Sequence, residues 1–325
     1  MPIRVFFGDI RPTDPEAAAA FTTYRRYLEN LGVFLGGYYG LGHDLPLGVR
    51  QTVNGLPSIQ RIRLRRLSPE QSQDLERHLR QAWHREGRIQ ALREHPVEDL
   101  PDLLPGTATD AYYAMFHAAL AFHVASGAGR PRNHAALLRS LVDCVQRGLF
   151  PPPWSLTCVG VPAYKPNRFH GLPHGANITL PHNWEAPDPE TNWGALCRLL
   201  KTTREKEVDR LAAEWKEKNR RRRLPNGERE RIAEGLRPTT IFDFLWRLRT
   251  RTDYRDVDAF LEGIALPSEA RSFLDALLVT LEGVMAVFEA LVCHYSGDLL
   301  VGECAERFVA HRPSFGTAVR ERLLL

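Results

Sequence analysis

The stretch Ala111-Tyr-Tyr-Ala-Met-Phe-His-Ala-Ala-Leu-Ala-Phe-His-Val124 joins a continuous apolar surface to two tyrosines and two histidines, and it contains no Asp, Glu, Lys or Arg. Tyr113, His117 and Leu120 recur at the spacing of one helical face, and the neighbouring rows are equally apolar. A helix that is apolar all round has no face for water and must be buried. The stretch therefore predicts a core helix whose polar tips find partners inside the protein.

The bulk composition predicts a globular, cytoplasmic protein. The chain has 325 residues, of which 43% are hydrophobic, and this is ample for a packed core. No segment reaches the roughly 18 uninterrupted apolar residues of a membrane span, so no membrane partner is expected. The segment Met1–Phe7 lacks the long apolar region and the small-residue cleavage site of a signal peptide.

The cysteines and histidines predict neither a disulfide framework nor a metal site. The five cysteines contain no Cys-x-x-Cys pair, so reduced, buried thiols are expected. His170, His174 and His182 are of a type that binds zinc, but their spacing matches no compact motif. A Walker-type phosphate loop and a Gly-x-Ser-x-Gly motif are also missing from the sequence. We therefore expect no metal and no cofactor.

The positive charge is concentrated in two arginine clusters, although the net charge is only +4. Arginine presents planar donors that fit phosphate oxygens in pairs, so both clusters are compatible with a nucleic-acid surface. Glutamates dilute the second cluster, and a solvated helix face is the equal alternative. The first cluster is Arg61, Arg63, Arg65 and Arg66, and the second is Arg220, Arg221, Arg222 and Arg223.

Helix-start signals and turn residues predict an all-α protein. Asp14-Pro-Glu begins a helix that runs to about Leu31, and the glycine-rich segment 32–42 is expected to be a bent connection. Ser68 caps a second helix that reaches about His95. Residues 151–189 are rich in proline and predict a loop, whereas residues 193–234 predict two charged helices split by a turn at Pro225–Gly227.

Two separated pieces of the chain resemble the HEPN family of nucleotide-binding helical bundles. The first is "AYYAMFHAALAF" followed by "RPRNHAALLRSL" (residues 130–141), and the second begins with "IFDFLWRLRTRTDYRDVDAFLEG" at Ile241 and closes with the amphipathic segment 268–292. The resemblance implies an antiparallel four-helix bundle. It divides the chain into an N-terminal helical extension (1–102), a first half (103–149), an insertion (150–238) and a second half with the C-terminal tail (239–325).

The resemblance also implies a function. Its members bind RNA or a nucleotide, act in bacterial defence or toxin–antitoxin systems and pair as homodimers, and the insertion would serve as an adapter for a protein partner. Ribonucleases of the family carry Arg, four to six residues, then His near their final helices. This chain has that spacing only outside the two halves, for example at Arg77 and His84. A non-catalytic binding module is therefore the first expectation, and a metal-independent endoribonuclease is the alternative.

Another set of residues in the matching pieces suits RNA cleavage. His134 begins the second helix of the bundle, and Arg247 and Arg251 share one face of the third. Imidazole can take the ribose 2′-hydroxyl proton while guanidinium stabilises the phosphorane, which leaves a 2′,3′-cyclic phosphate. Arg249 and Tyr254 are the predicted nucleotide contacts.

Each of these residues also has a structural interpretation, which the sequence leaves open. His134 could cap its helix, Arg251 and Asp253 could lock the third helix to its neighbours, and Tyr254 could donate a buried hydrogen bond. Tyr113 and His117, with Asp253, are assigned to a structural polar core.

Overall fold

A computed structural model describes residues 14–42, 44–160, 167–176, 180, 192–254, 260 and 262–323, with the backbone alone described at 251–254. The protein is predominantly helical, as predicted. The α-helices of the described residues are α1 (Pro15–Tyr39), α2 (Asp44–Gly55), α3 (Pro69–Gln90), α4 (Leu100–Leu103), α5 (Thr107–Ser126), α6 (His134–Gln146), α7 (Asn192–Lys218), α8 (Glu228–Gly235), α9 (Ile241–Tyr254), α10 (Pro267–Ser296), α11 (Asp298–His311) and α12 (Thr317–Leu323). The short antiparallel strands β1 (Thr157–Val159) and β2 (Arg168–His170) lie between α6 and α7.

Helix α5 is the core helix that its sequence predicts. It packs along α3, α9 and α10, and it ends at Gly127, whose φ of 71° is the left-handed conformation typical of a helix C-terminus. Its burial is not complete, however, because Tyr113, Phe116 and His117 form a half-buried stripe. This stripe is the part of α5 that borders the functional site described below.

Helix α10 is the longest apolar element of the protein. Among the described residues, it is the one helix long and apolar enough to cross a membrane, but 89% of its most apolar window is buried inside the protein. It lies against α1, α2 and α5. The apolar surface is thus covered by the chain's own helices.

Two predicted helix starts are confirmed. The Asp14 side chain accepts a hydrogen bond from the Ala17 amide at 2.8 Å. Ser68 and Gln71 form a reciprocal capping box at the start of α3. The short polar side chains satisfy amides that the first helical turn leaves without partners, and this is why both starts could be identified from sequence.

The prediction of a bent connection over residues 32–42 is wrong. Helix α1 continues through its glycines to Tyr39 and ends at Gly40, whose φ is 91°. Gly32 faces Val279 of α10, where even a single added methyl group would be in van der Waals contact. The tertiary packing of α1 against α10 therefore outweighs the weak helix propensity of glycine. Helix α2, which was not predicted, follows at once.

The predicted insertion has a more ordered core than its sequence suggests. Residues 151–189 were predicted to form a loop, but they contain β1 and β2, with Thr157 opposite His170. Helices α7 and α8 confirm the predicted split at Pro225–Gly227. The first half of α7 is buried, since Leu196 and Leu200 belong to the main core. His182 lies outside the described residues.

One hydrophobic core draws buried side chains from all four predicted segments of the chain, from Phe21 in α1 to Val319 in α12. Helix α3, which comes from the predicted N-terminal extension, lies beside α5. The segment boundaries and the four-helix HEPN arrangement therefore stay predictions. All five cysteines are buried and free.

A buried ionic network connects α12 to α3 and α10. The Arg322 guanidinium donates hydrogen bonds to Glu289 of α10 at 2.8 Å and to Glu86 of α3 at 2.5 and 2.8 Å. Trp83 also donates to Glu289 at 2.8 Å. All three charged side chains are at most 2% exposed. Burial raises the pKa of Glu86, while the nearby Arg322 opposes that rise.

Replacing Arg322 by Met is expected to lower the free energy of unfolding by about 3–5 kcal/mol, because it leaves two buried carboxylates without their cation. The measurement is urea unfolding followed by circular dichroism. Arg320→Met removes an exposed cation from the same helix and should change stability by less than about 0.5 kcal/mol. Equal effects of the two substitutions would contradict the structural role of the network.

Burial or partial burial disfavours the charged form of three histidines. Burial lowers the pKa of His123 to about 4, and the same cause acts on His78 and His117. His123 shares a hydrogen bond with Ser140 at 3.2 Å. The folded protein thus favours neutral imidazole, whereas the unfolded chain binds protons from about pH 6.5 downward.

The free energy of unfolding is therefore expected to fall as the pH decreases from 6.5 towards 4, because the unfolded state binds more protons in this window. Each histidine would contribute up to about 2 kcal/mol between pH 6.5 and 5. His123→Gln keeps a hydrogen-bonding side chain but does not titrate, so urea unfolding at pH 7, 6 and 5 should show a shallower slope for this variant. An unchanged slope would show that His123 does not titrate in this window.

Candidate functional site

Three helices bring His134 into a cluster of aromatic rings. The His134 Nδ1 atom is 2.9 Å from the Tyr112 hydroxyl, and its ring stacks on Trp246 of α9 with centroids 4.8 Å apart. The Phe116 ring lies at 4.8 Å on another side. Asn133, not His134, caps α6, since its side chain accepts the Ala136 amide at 2.8 Å. The imidazole is thus held by its neighbours on α5 and α9.

Arg249 is the cation of this cluster. Its guanidinium lies 5.0 Å from the Trp246 ring centroid, 5.4 Å from that of Tyr113 and 6.0 Å from that of Tyr112. Arginine–ring contacts at such distances are favourable and stabilise the guanidinium beside the rings. We call Tyr112, Tyr113, Phe116, His134, Trp246 and Arg249 the aromatic–arginine site.

Electrostatics keep the His134 imidazole neutral near pH 7. Burial lowers its pKa, and the neighbouring Arg249 lowers it further. Burial also raises the pKa of Tyr112, so its hydroxyl keeps its proton. A neutral imidazole bonded to a hydroxyl through Nδ1 has its second nitrogen available for another partner.

The sequence predicts that Arg247 lies near His134, but in the structure Arg247 contacts other residues. Its guanidinium lies 5.5 Å from the Tyr24 ring centroid and 5.7 Å from that of Tyr27, and it donates to Thr203 at 3.3 Å. Arg249 lies near His134 instead, because side chains two residues apart on a helix point to nearly opposite faces. The side chains of Arg251, Asp253 and Tyr254 lie outside the described part of the chain.

Two of the residues assigned to a polar core, Tyr113 and His117, are half-buried. The Nδ1 atoms of His117 and His78 are 3.2 Å apart, and His117 itself is half-buried. Burial is the main cause that lowers its pKa to about 4, followed by Arg85 and Arg130. Tyr113 lies near two guanidinium groups, since that of Arg85 is 5.5 Å and that of Arg249 is 5.4 Å from its ring centroid. Basic side chains thus lie beside the half-buried stripe of α5.

The four arginines 220–223 are all exposed, at the end of α7. Arg220 has a φ of 53°, which ends the helix. Their exposure is compatible with the predicted nucleic-acid contact and equally with the alternative, a solvated helix face.

A cleft opens between α6, α7 and α9, with Trp246 on its wall. We call it the α6–α7–α9 cleft, and its volume is about 530 Å³. Five cations and three carboxylates line it together with threonine and apolar side chains. Its lining comprises Ala135, Leu138, Arg139, Thr203, Lys206, Glu207, Arg210, Glu214, Leu236, Arg237, Thr239, Asp243, Trp246, Arg247 and Thr250.

Arg204 shapes one wall of this cleft from inside the protein. Only 1% of its surface is exposed, and it donates hydrogen bonds to carbonyl oxygens of Ala233 at 2.7 Å, of Gly160 at 2.9 Å and of Arg237 at 2.9 Å. Burial lowers its pKa. One guanidinium therefore joins α7 to the chain that precedes α9.

Arg204→Met is expected to lower the free energy of unfolding by at least about 2 kcal/mol, because it leaves several buried carbonyl groups without donors. Thermal and urea unfolding measure the change. Lys201→Met on the same helix, which removes only a half-exposed ion pair with Glu205, should cost less than about 1 kcal/mol. A loss for Arg204→Met no larger than that of the control would contradict this role.

The described residues contain no group of three or more His, Cys, Asp or Glu side chains that could hold a metal ion. Comparisons with protein-family models, with curated proteins and with solved structures found no match. The functional argument therefore rests on the geometry of the chain itself.

The sequence pointed to His134, Arg249 and Tyr113, but it did not predict that Trp246 and Phe116 contact His134. Trp246 had a usable signal, since it lies three residues before Arg249 and so shares its helical face. Arg204 had no sequence signal for its burial. It lies between Thr203 and Glu205 in a charge-rich helix, where a solvated arginine is expected. The cleft depends on three helices that are distant in sequence.

Proposed function

We propose that this protein is a HEPN-like RNA-binding protein whose contact with RNA is the aromatic–arginine site. The proposal includes the homodimer, the protein partner of the insertion and the bacterial defence or toxin–antitoxin setting that the resemblance implies. The position of the Arg249 guanidinium within 6.0 Å of three ring centroids, beside the half-buried His134, is the observation that carries it.

The chemistry of this site suits single-stranded nucleic acid. Proteins that bind single strands combine aromatic side chains, on which bases stack, with cations that follow the phosphates. Tyr113, Phe116 and Trp246 are partly exposed rings. The Arg249 guanidinium beside Tyr113 and Trp246 adds a planar group and hydrogen-bond donors.

Further cations extend this site along α5. Arg85 contacts Tyr113, and Arg77 and Arg130 lie close enough to His117 to lower its pKa. On α3, Arg77 and Arg85 are eight residues apart, which is about 12 Å along a helix, or roughly two to three nucleotides of an extended strand. Asp74 and Asp110 pair with these two arginines, so phosphates would compete with existing ion pairs.

Arg249→Ala is expected to weaken the binding of labelled single-stranded RNA by at least about tenfold, because it removes a charge-assisted contact and a stacking surface. Fluorescence anisotropy at two salt concentrations measures the affinity and the number of phosphate contacts. Arg249→Lys keeps the charge without the planar group and should lie between the wild-type protein and Arg249→Ala.

The matched control is Arg320→Ala, which removes an exposed cation elsewhere and should leave the affinity unchanged. Circular dichroism checks that each variant is folded. If folded Arg249→Ala binds RNA as tightly as the wild-type protein, the aromatic–arginine site is not the RNA contact.

The contact between His134, Tyr112 and Arg249 favours a second function, metal-independent endoribonuclease activity. This reaction uses the His134 tautomer whose Nδ1–H donates to the Tyr112 oxygen, which leaves the Nε2 lone pair free. The Nε2 atom takes the proton of a ribose 2′-hydroxyl, and the 2′-oxygen attacks phosphorus. The bond from phosphorus to the 5′-oxygen breaks, that oxygen takes a proton from solvent, and the imidazolium returns its proton to solvent. Arg249 would stabilise the charge on the phosphorane.

The nuclease hypothesis predicts that the protein cleaves RNA in the presence of EDTA and leaves 2′,3′-cyclic phosphate ends, which mass spectrometry detects. His134→Ala should abolish cleavage, since it removes the base. His311→Ala, an exposed histidine whose Nδ1 contacts only a backbone carbonyl, should leave cleavage intact. RNA binding without cleavage by the wild-type protein would favour the binding module.

A further inference from the structure

We infer that the α6–α7–α9 cleft is a separate binding site for a nucleoside phosphate. It is separate from the proposed RNA contact, although Trp246 belongs to both. The inference stands on the size, the charge and the hydrogen-bonding groups of the cleft.

The volume of the cleft fits one small molecule. At about 530 Å³, it lies within the range of pockets that bind cofactors and other small ligands. Apolar side chains of Leu138, Leu236 and Trp246 form part of its lining. They suit the base and sugar of a nucleoside, whereas free inorganic phosphate would leave them without contact.

The charge balance of the cleft favours an anion. All three carboxylates are already engaged, since Arg210 pairs with Glu207 and Glu214, and Arg237 pairs with Asp243. Those pairs leave three further cations on the lining, Arg139 of α6, Lys206 of α7 and Arg247 of α9.

These three cations form no ion pair with a carboxylate among the described residues. They approach the same space from three different helices. A phosphate group has the charge and the number of acceptor oxygens to bind all three.

Arg247 is fixed in place before any ligand binds. Its guanidinium is held by the rings of Tyr24 and Tyr27 and by the Thr203 hydroxyl, and its Nε atom is buried without a hydrogen-bond partner in the described structure. A cation that is already oriented loses little conformational entropy when an anion arrives. Thr203 and Thr239, both at most 5% exposed, add hydroxyl groups to the lining.

The dipole of α6 adds to this attraction. Ala135 lies in the first turn of the helix and lines the cleft, so the positive end of the dipole is near the three cations. Asn133 already satisfies the Ala136 amide. The helix dipole supports the site, but the three cations are its main source of attraction.

Isothermal titration calorimetry of the full chain with AMP and GMP tests this inference, with adenosine and inorganic phosphate as separate probes. At least one nucleotide should bind, adenosine should bind at least about tenfold more weakly, and phosphate alone should also bind more weakly. Absence of heat with AMP and GMP up to millimolar concentration would overturn the inference.

Charge reversal locates the site. Arg139→Glu and Lys206→Glu change exposed side chains, so both variants should fold, and each should weaken nucleotide binding by at least about tenfold. Arg320→Glu is the matched control and should bind as the wild-type protein does. Equal affinity in the cleft variants and the control would overturn the inference.

The RNA contact and the cleft can be separated in the same experiments. Arg249→Ala should keep nucleotide binding, whether or not it changes RNA binding. If the cleft variants lose RNA affinity and the wild-type protein binds no nucleotide, the cleft is part of the RNA contact and the inference fails. Nucleotide binding without RNA binding would support the cleft and refute the proposed function.

Discussion

Burial of helix α10 is the constraint on which the other elements depend. Thirty residues of mostly apolar helix must be covered, and α1, α2 and α5 together do this. Glu289 is buried within that apolar helix, and a buried carboxylate is stable only beside a cation and hydrogen-bond donors. Arg322 and Trp83 meet this requirement, so the chemistry of one side chain brings the C-terminal helix and α3 against the core.

The position of the aromatic–arginine site follows from which parts of α5 the other helices cover. Helices α3, α9 and α10 cover most of it and leave Tyr113, Phe116 and His117 half-buried. Helix α9 then brings Trp246 and Arg249 to that stripe, and α6 brings His134. All of these side chains stand on helices that pack into one core, so their relative positions are fixed by burial.

Trp246 links two regions of different character. On the side of α5 it contacts His134 and Arg249, where rings dominate and one guanidinium is held among them. It also lines the cleft, where cations from three helices meet and the carboxylates are already paired. We propose phosphate-bearing ligands for both regions, a single strand at the aromatic–arginine site and a single molecule in the cleft.

The sequence by itself determined the features that depend on neighbouring residues. The starts of α1 and α3 could be identified because Asp14 and Ser68 cap amides three residues away. Continuous apolarity marked α5 as a core helix, and the Pro225–Gly227 turn separated α7 from α8. Each of these signals acts over a few positions of the chain, so no knowledge of the tertiary structure is needed.

Only the tertiary structure decided which side chains meet. Arg247 and Arg249 look alike in sequence. Arg247 contacts α1 and Arg249 contacts α5, because α9 packs between these two helices. Arg204 looks like a surface arginine, but it binds carbonyl groups 29 to 44 residues away. Helix α1 persists through its glycines because α10 packs against it. Long-range packing energy outweighs local preference at these positions, and local sequence carries no record of it.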